Sequence, residues 1–179
     1  MRYQELDVIA PAAPACAEEG FSEAEVFGSA AWLWMHSAAH RDVPLLLLST
    51  LLLPALKTGQ FVLASENGKP VFYLGWAWLS AEAETRYLSQ PPQSMRLDDW
   101  TSGDRLWLLD WIAPFWHTRT MRPLIGRRLF PGWCARALYH RGDEKGLRIM
   151  NYHGLAVTRQ EAHHWFAQHA CALFPRSSP

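Results

Sequence analysis

The stretch RLWLLDWIAPF, Arg105 to Phe115, decides the fold. Apart from Arg105 and Asp110 it is nonpolar throughout, as a strand covered on both faces must be. The segments around it fit a sheet. Gln60–Ser65 and Pro70–Leu79 read as strands, joined by Glu66-Asn67-Gly68-Lys69, whose Asn-Gly pair is a strong hairpin signal. Two further strands are expected at Trp133–His140 and Leu147–His153. Helices separate them. Ser22-Glu23-Ala24-Glu25 has the form of a capping box and opens a helix running to about Ala39. Arg41-Asp42-Val43-Pro44 ends it, because the residue before proline is steered out of the helical region. Pro44 then begins a second helix that ends near Lys57. A short helix follows Ser80, an arginine-rich one spans Thr118 to Phe130, and a last one runs from Thr158 to Phe174. This order predicts an α/β (α+β) protein with a single, mostly antiparallel central sheet flanked by helices. Residues 1–25, acidic and rich in proline and alanine, are expected to form a flexible leader, and residues 26–175 one folded domain.

With 179 residues, 49% of them hydrophobic and ten of them tryptophan, the chain has ample material for a core. Its formal net charge is zero, but the charge is unevenly spread. Residues 1–30 hold Arg2 against six acidic residues. Residues 111–158 hold eight basic residues against Asp143 and Glu144. A basic surface suited to an acidic partner is expected in the C-terminal half. Cys16, Cys134 and Cys171 are widely spaced and odd in number, which fits a reduced, cytoplasmic protein. Val43–Leu56 is the most apolar stretch, but a membrane-spanning helix needs about 20 such residues. Its leucines are therefore expected to form a core helix, one that could wall a ligand site, with no stable membrane insertion.

Asp110 is the odd residue of the buried strand. A carboxylate in apolar surroundings is costly unless paired or hydrogen-bonded. It either caps a loop or pairs with an arginine, or it orients a histidine. His40, in SAAHRDVPLLLL (37–48), is the natural histidine, because it ends a helix beside a turn. Taken alone, such a residue is more often a solvated or structural imidazole than a catalytic one. His163, His164 and His169 lack the spacing of metal ligands on one helix face, and no metal site is expected. Serine-hydrolase, nucleotide-loop, dinucleotide and zinc-protease motifs are absent, as is any motif for nucleic-acid binding.

Three segments together carry a resemblance: AWLWMHSAAHRDVP (31–44), KPVFYLGWAWLS (69–80) and DWTSGDRLWLLDWIAPF (99–115). They resemble the RTX toxin-activating lysine acyltransferases, in the same order, over about Phe27 to Leu173. The resemblance places the catalytic histidine on His40, the catalytic aspartate on Asp110 and a supporting serine on Ser37. It implies a fold like the GCN5-related N-acetyltransferases and, in most members, a dimer. It also implies transfer of a fatty acyl group from acyl carrier protein to internal lysines of an RTX protoxin. An alanine stands where the family has proline before the histidine, Leu74-Gly75 replaces a usual Cys-Ser, and the leader is longer.

Under this resemblance Arg119, Arg122, Arg127 and Arg128 offer a surface to the acidic carrier protein, with Arg136, Arg141, Lys145 and Arg148 adding to the positive half. The stretch APFWHTRTMRPLIG lacks the pyrophosphate loop of enzymes that use coenzyme A. Acyl carrier protein, with its phosphopantetheine thioester, is thus the expected donor substrate, and no permanently bound cofactor is expected. Two roles stay open for His40: general base, or nucleophile forming an acyl-imidazole. An acyl-CoA-dependent acyltransferase and a non-catalytic toxin chaperone are the competing readings.

Overall fold

A computed structural model describes residues 1–12, 20–91, 94–139 and 148–171. Seven strands form one sheet in sequence order: β1 (Arg2–Tyr3), β2 (Leu6–Ile9), β3 (Phe61–Glu66), β4 (Lys69–Leu79), β5 (Arg105–Ile112), β6 (Cys134–Leu138) and β7 (Ile149–His153). Neighbours are antiparallel except β5 and β6, which are parallel. Parallel strands cannot be joined by a tight turn. Here the connection runs through helix α5 (Thr118–Leu124) and a π-helical turn, Ile125–Leu129.

The two faces of the sheet carry separate cores. On one lie α1 (Glu23–His36), α2 (Leu48–Leu51), α3 (Leu53–Lys57) and α4 (Ala81–Ser89), which pack Leu33, Leu52, Leu56 and Tyr87 against Phe61, Tyr73, Ala77 and Trp107. On the other lie α5 and the π turn, whose Met121, Leu124 and Ile125 meet Phe72, Leu74, Trp76 and Leu106. The last helix, α6 (Arg159–Gln168), follows β7 and contacts β6. The helix caps form as their residues suggest: Ser22 Oγ accepts from the Glu25 amide, and Thr158 and Glu161 cap α6 reciprocally.

Four expectations change. The leader is not free along its whole length: β1 and β2 extend the sheet beyond β3, with Leu6 and Val8 buried. A four-residue strand with apolar residues at alternate positions is too short to stand out in an acidic, proline-rich context. The second helix is broken into a 3-10 turn at Leu45–Leu47, α2 and α3, with Pro54 near the start of α3. The leucine run is split accordingly: Leu45 and Leu46 are 80% and 83% exposed, whereas Leu48, Leu52 and Leu56 are core. The arginine-rich helix gives way to the π turn after Leu124. Arg136, assigned to the basic surface, is only 3% exposed. The last helix is described to Gln168, and Cys16, Arg141 and Lys145 lie outside the described residues. Among the described residues no helix is long and apolar enough to cross a membrane.

Two ionic clusters lock β5 in place. Glu84 of α4 is buried and accepts from Arg105 Nη1 (2.5 Å), Trp107 Nε1 (2.8 Å) and Arg136 Nη1 (2.9 Å), tying α4 to β5 and β6. Arg136 also donates to the His169 carbonyl and lies against the Trp165 and Phe166 rings, which seats α6. Just before β5, Arg86 grips Asp99 through both carboxylate oxygens (2.6 and 3.2 Å), and the Arg96 amide adds a third bond. These bonds, the Arg86 one first, hold the Asp99 carboxyl below its ordinary value.

Three stability measurements test this account. Leu6→Ala should cost about 2–5 kcal/mol in urea unfolding, the range for a buried leucine, whereas an unpacked leader predicts no change. Glu84→Ala should cost about 3–5 kcal/mol by leaving two guanidinium groups without their shared carboxylate. A group with a lowered folded pKa contributes stability above its unfolded pKa and loses it as pH falls through the folded one. Acid titration of stability should therefore be shallower in Asp99→Asn than in the wild type.

Candidate active site

Strict alternation along β5 would point Asp110 to the wrong side. Leu106 and Leu108 belong to the α5-face core, and Trp107 and Leu109 pack with the α1-face core. Asp110, two residues after Leu108, would by that period join the α5 face. The register shows otherwise: Leu108 faces Trp76 and Asp110 faces Gly75, so Leu109 is an extra residue with no partner on β4. This bulge resets the period, leaving Trp111 with the α5 face and Ile112 with the α1 face. Asp110 thus lies across from Gly75, on the face where Tyr73 and Ala77 flank that position. Gly75 leaves room there: a β-carbon would stand 3.3 Å from the Tyr73 hydroxyl.

From the other side comes His40. α1 ends at His36, and Ser37 caps it in an extended conformation, its amide bonded to the Trp34 carbonyl. A tight turn follows, with the His40 and Arg41 amides both donating to the Ser37 carbonyl (3.0 and 2.9 Å). The turn brings the His40 ring beneath Trp34, with centroids 5.0 Å apart. His40 Nε2 then meets Asp110 Oδ1 at 3.2 Å, and Nδ1 meets Ser37 Oγ at 2.8 Å. The side chains of His40 and Asp110 are each 14% exposed, enclosed but open to a reactant.

The protonation pattern follows from the inventory of donors. A carboxylate only accepts, so Nε2 carries the hydrogen and Nδ1 accepts from the Ser37 hydroxyl. The base nitrogen of neutral His40 is therefore Nδ1, shielded by one hydroxyl, while Asp110 fixes the tautomer from the far side. The negative charge of Asp110 is felt through the core. Burial, and then Asp110, hold the Tyr73 and Tyr87 hydroxyls above the ordinary phenol range, so both stay neutral.

The three residues expected at the site, His40, Asp110 and Ser37, form one hydrogen-bonded chain. The four arginines expected to meet an acidic partner lie on two consecutive helical segments. Arg119 and Arg122 are exposed on α5, whereas Arg127 and Arg128 are exposed on the π turn, with Arg128 5.8 Å from the Tyr3 ring. Glu84, the anchor of the larger ionic cluster, carries no distinguishing signal in the sequence. It follows the serine cap of α4 and lies between Ala83 and Thr85, where any exposed helical glutamate would look the same.

The family model for the RTX toxin acyltransferase family matches residues 19–153. Over 146 residues the chain is 40% identical to a leukotoxin-activating lysine-acyltransferase of Aggregatibacter actinomycetemcomitans, covering 81% of this chain and 85% of that one. It is 38% identical over 149 residues to a protein-lysine myristoyltransferase of Kingella kingae (83% and 86%). A protein-lysine myristoyltransferase of Escherichia coli is 38% identical over 147 residues (81% and 84%). The chain belongs to the RTX toxin acyltransferase family and is an acyltransferase.

Proposed function

We propose that this chain moves a fatty acyl group from acyl carrier protein to the ε-amino group of internal lysines of an RTX protoxin, and thereby activates the toxin. The observation that carries the reading is the imidazole of His40 held between Asp110 and Ser37, in a chain of this family. By the same reading the protein is a cytoplasmic dimer whose sheet is of the GCN5-related N-acetyltransferase type. A single sheet with one parallel pair, β5 and β6, and helices on both faces supports that assignment.

A lysine side chain, with an unperturbed pKa of about 10.4, must first release one proton from its ammonium form to solvent, and the neutral amine sheds a second as it bonds to the thioester carbon. His40 Nδ1 receives this second proton through the Ser37 hydroxyl, and Asp110 stabilises the resulting imidazolium through Nε2–H. The amine nitrogen bonds to the thioester carbonyl carbon, the C–S bond breaks, and the imidazolium returns the proton to the departing pantetheine thiolate. Amide and free thiol are the products, and the imidazole is regenerated. Both ring nitrogens already hold partners, so a proton-carrying role costs no rearrangement, whereas attack by Nδ1 on the thioester would first have to displace Ser37.

Mass spectrometry of a protoxin incubated with the protein and acyl carrier proteins of several chain lengths tests reaction, acceptor and donor together. His40→Ala should lower the rate of lysine acylation about 10²–10⁴-fold, the usual share of a general base. Asp110→Asn should cause a similar loss, through the wrong tautomer, with an unchanged circular dichroism spectrum and melting temperature. Wild-type acylation by a folded His40→Ala protein would end the proposal.

A further inference from the structure

Trp116 is the least buried large hydrophobic side chain of the described residues, at 91% exposure, and its backbone sits at φ +70°. A bulky residue in the left-handed region is strained, and such strain persists only where neighbours impose it. The neighbours here are visible. Phe115 turns inward beneath Lys69, whose Nζ lies 4.2 Å from its ring, and His117 Nε2 faces Glu66 at 3.9 Å. Pinning the residues on either side of it presents the indole between them to solvent.

The position bears on the reaction. Trp116 follows the end of β5 by four residues, at the β3–β4 hairpin end of the sheet, and Asp110 is two residues inside the same end of β5. α5 starts two residues later and carries Arg119 and Arg122, exposed and in no ion pair among the described residues. From there the chain runs back towards the start of β6, which is level with the start of β5, since Ala135 faces Leu106. Arg127 and Arg128 lie five and six residues beyond Arg122, roughly 8 Å at 1.5 Å per helical residue. Arg119 and Arg122 thus follow Trp116 at the sheet end where β5 finishes, on the α5 face, and Asp110 lies at that end on the α1 face.

We infer that Trp116, together with Arg119 and Arg122 of the helix that follows it, is the docking anchor for the acidic acyl carrier protein, with the indole entering an apolar recess and the two guanidinium groups meeting carboxylates on the partner. An exposed tryptophan followed within six residues by two exposed arginines has the composition of an interface hot spot, and the charge complements an acidic partner. This rests on the carrier-protein reading above.

The test compares the full-length wild type with Trp116→Ala, Arg119→Glu/Arg122→Glu and Arg127→Glu/Arg128→Glu. Readouts are steady-state transfer to the protoxin, direct binding of acyl carrier protein at several salt concentrations, and transfer from an acyl-pantetheine thioester free of protein. Trp116→Ala and the Arg119/Arg122 variant should each raise KM for the acylated carrier about ten-fold or more, with kcat little changed. The Arg119/Arg122 variant should also flatten the salt dependence of binding. The Arg127/Arg128 variant should lose less, and transfer from acyl-pantetheine should be equal in all four proteins. A wild-type KM for the carrier in Trp116→Ala overturns the inference. So does a change confined to KM for the protoxin, or a change in oligomeric state with carrier binding intact, which would make Trp116 a contact between copies of this chain. If the wild type neither binds nor uses acyl carrier protein, the functional reading fails together with the anchor. If it uses the carrier and Trp116→Ala is indifferent, only the anchor fails.

Discussion

The hydrogen bond from His40 to Asp110 constrains both the strand it reaches and the turn it leaves. For the bond to form, a carboxylate must leave the period of a strand whose other residues are committed to two cores. One extra residue, Leu109, accomplishes this without breaking the sheet, because its neighbours Leu108 and Asp110 still face Trp76 and Gly75. For the histidine, the helix must stop at His36, so that the turn through Ser37 can lower the ring beneath Trp34. Desolvating Asp110 is costly, and its pairing with an imidazole N–H offsets part of that cost. A helix running on past Ser37, or a β5 without its bulge, would leave that carboxylate without its partner.

Bulges explain why the site was only partly legible from sequence. RLWLLDWIAPF identifies a strand covered on both sides, and the charge within it marks Asp110 as exceptional. Nothing in the period tells which face it joins, since alternation from Leu106 and Leu108 gives the wrong one. Residue type alone favours a bland His40, and only the family pattern around it tips the balance towards catalysis. Register fails in the same way for β1 and β2: a strand of four residues in a polar leader becomes visible only when Leu63 and Ala64 of β3 stand beside it. Turn and cap signals, being local, held well at Ser22, Asn67-Gly68, Ser80 and Thr158.

Charge was the least readable property, because sequence counts charges without placing them. Arg136 contributes to the positive half of the chain, yet it lies in the interior, balanced by Glu84 and stacked on Trp165 and Phe166. Its role is to hold β6 and α6 against β5, and its charge is neutralised inside the fold, out of reach of a partner. The exposed arginines are further divided between α5, which holds Arg119 and Arg122, and the π turn, which holds Arg127 and Arg128. A basic run in the sequence therefore includes a side chain that the fold takes out of the surface.

The orientation of the imidazole limits what the site can do chemically. With Asp110 on Nε2, the nitrogen left with a lone pair is Nδ1, which is covered by the Ser37 hydroxyl. A nitrogen so placed accepts a proton handed to it through a hydroxyl more readily than it attacks a carbonyl carbon, because attack needs open space along the line of its lone pair. In the proposed reaction a lysine amine approaches from the Ser37 side, so that its proton has a path of hydrogen bonds to follow while its nitrogen meets the thioester. Under the same proposal Asp110 completes that path without touching the reactants: it keeps the hydrogen on Nε2 before the proton arrives and balances the positive charge once it has.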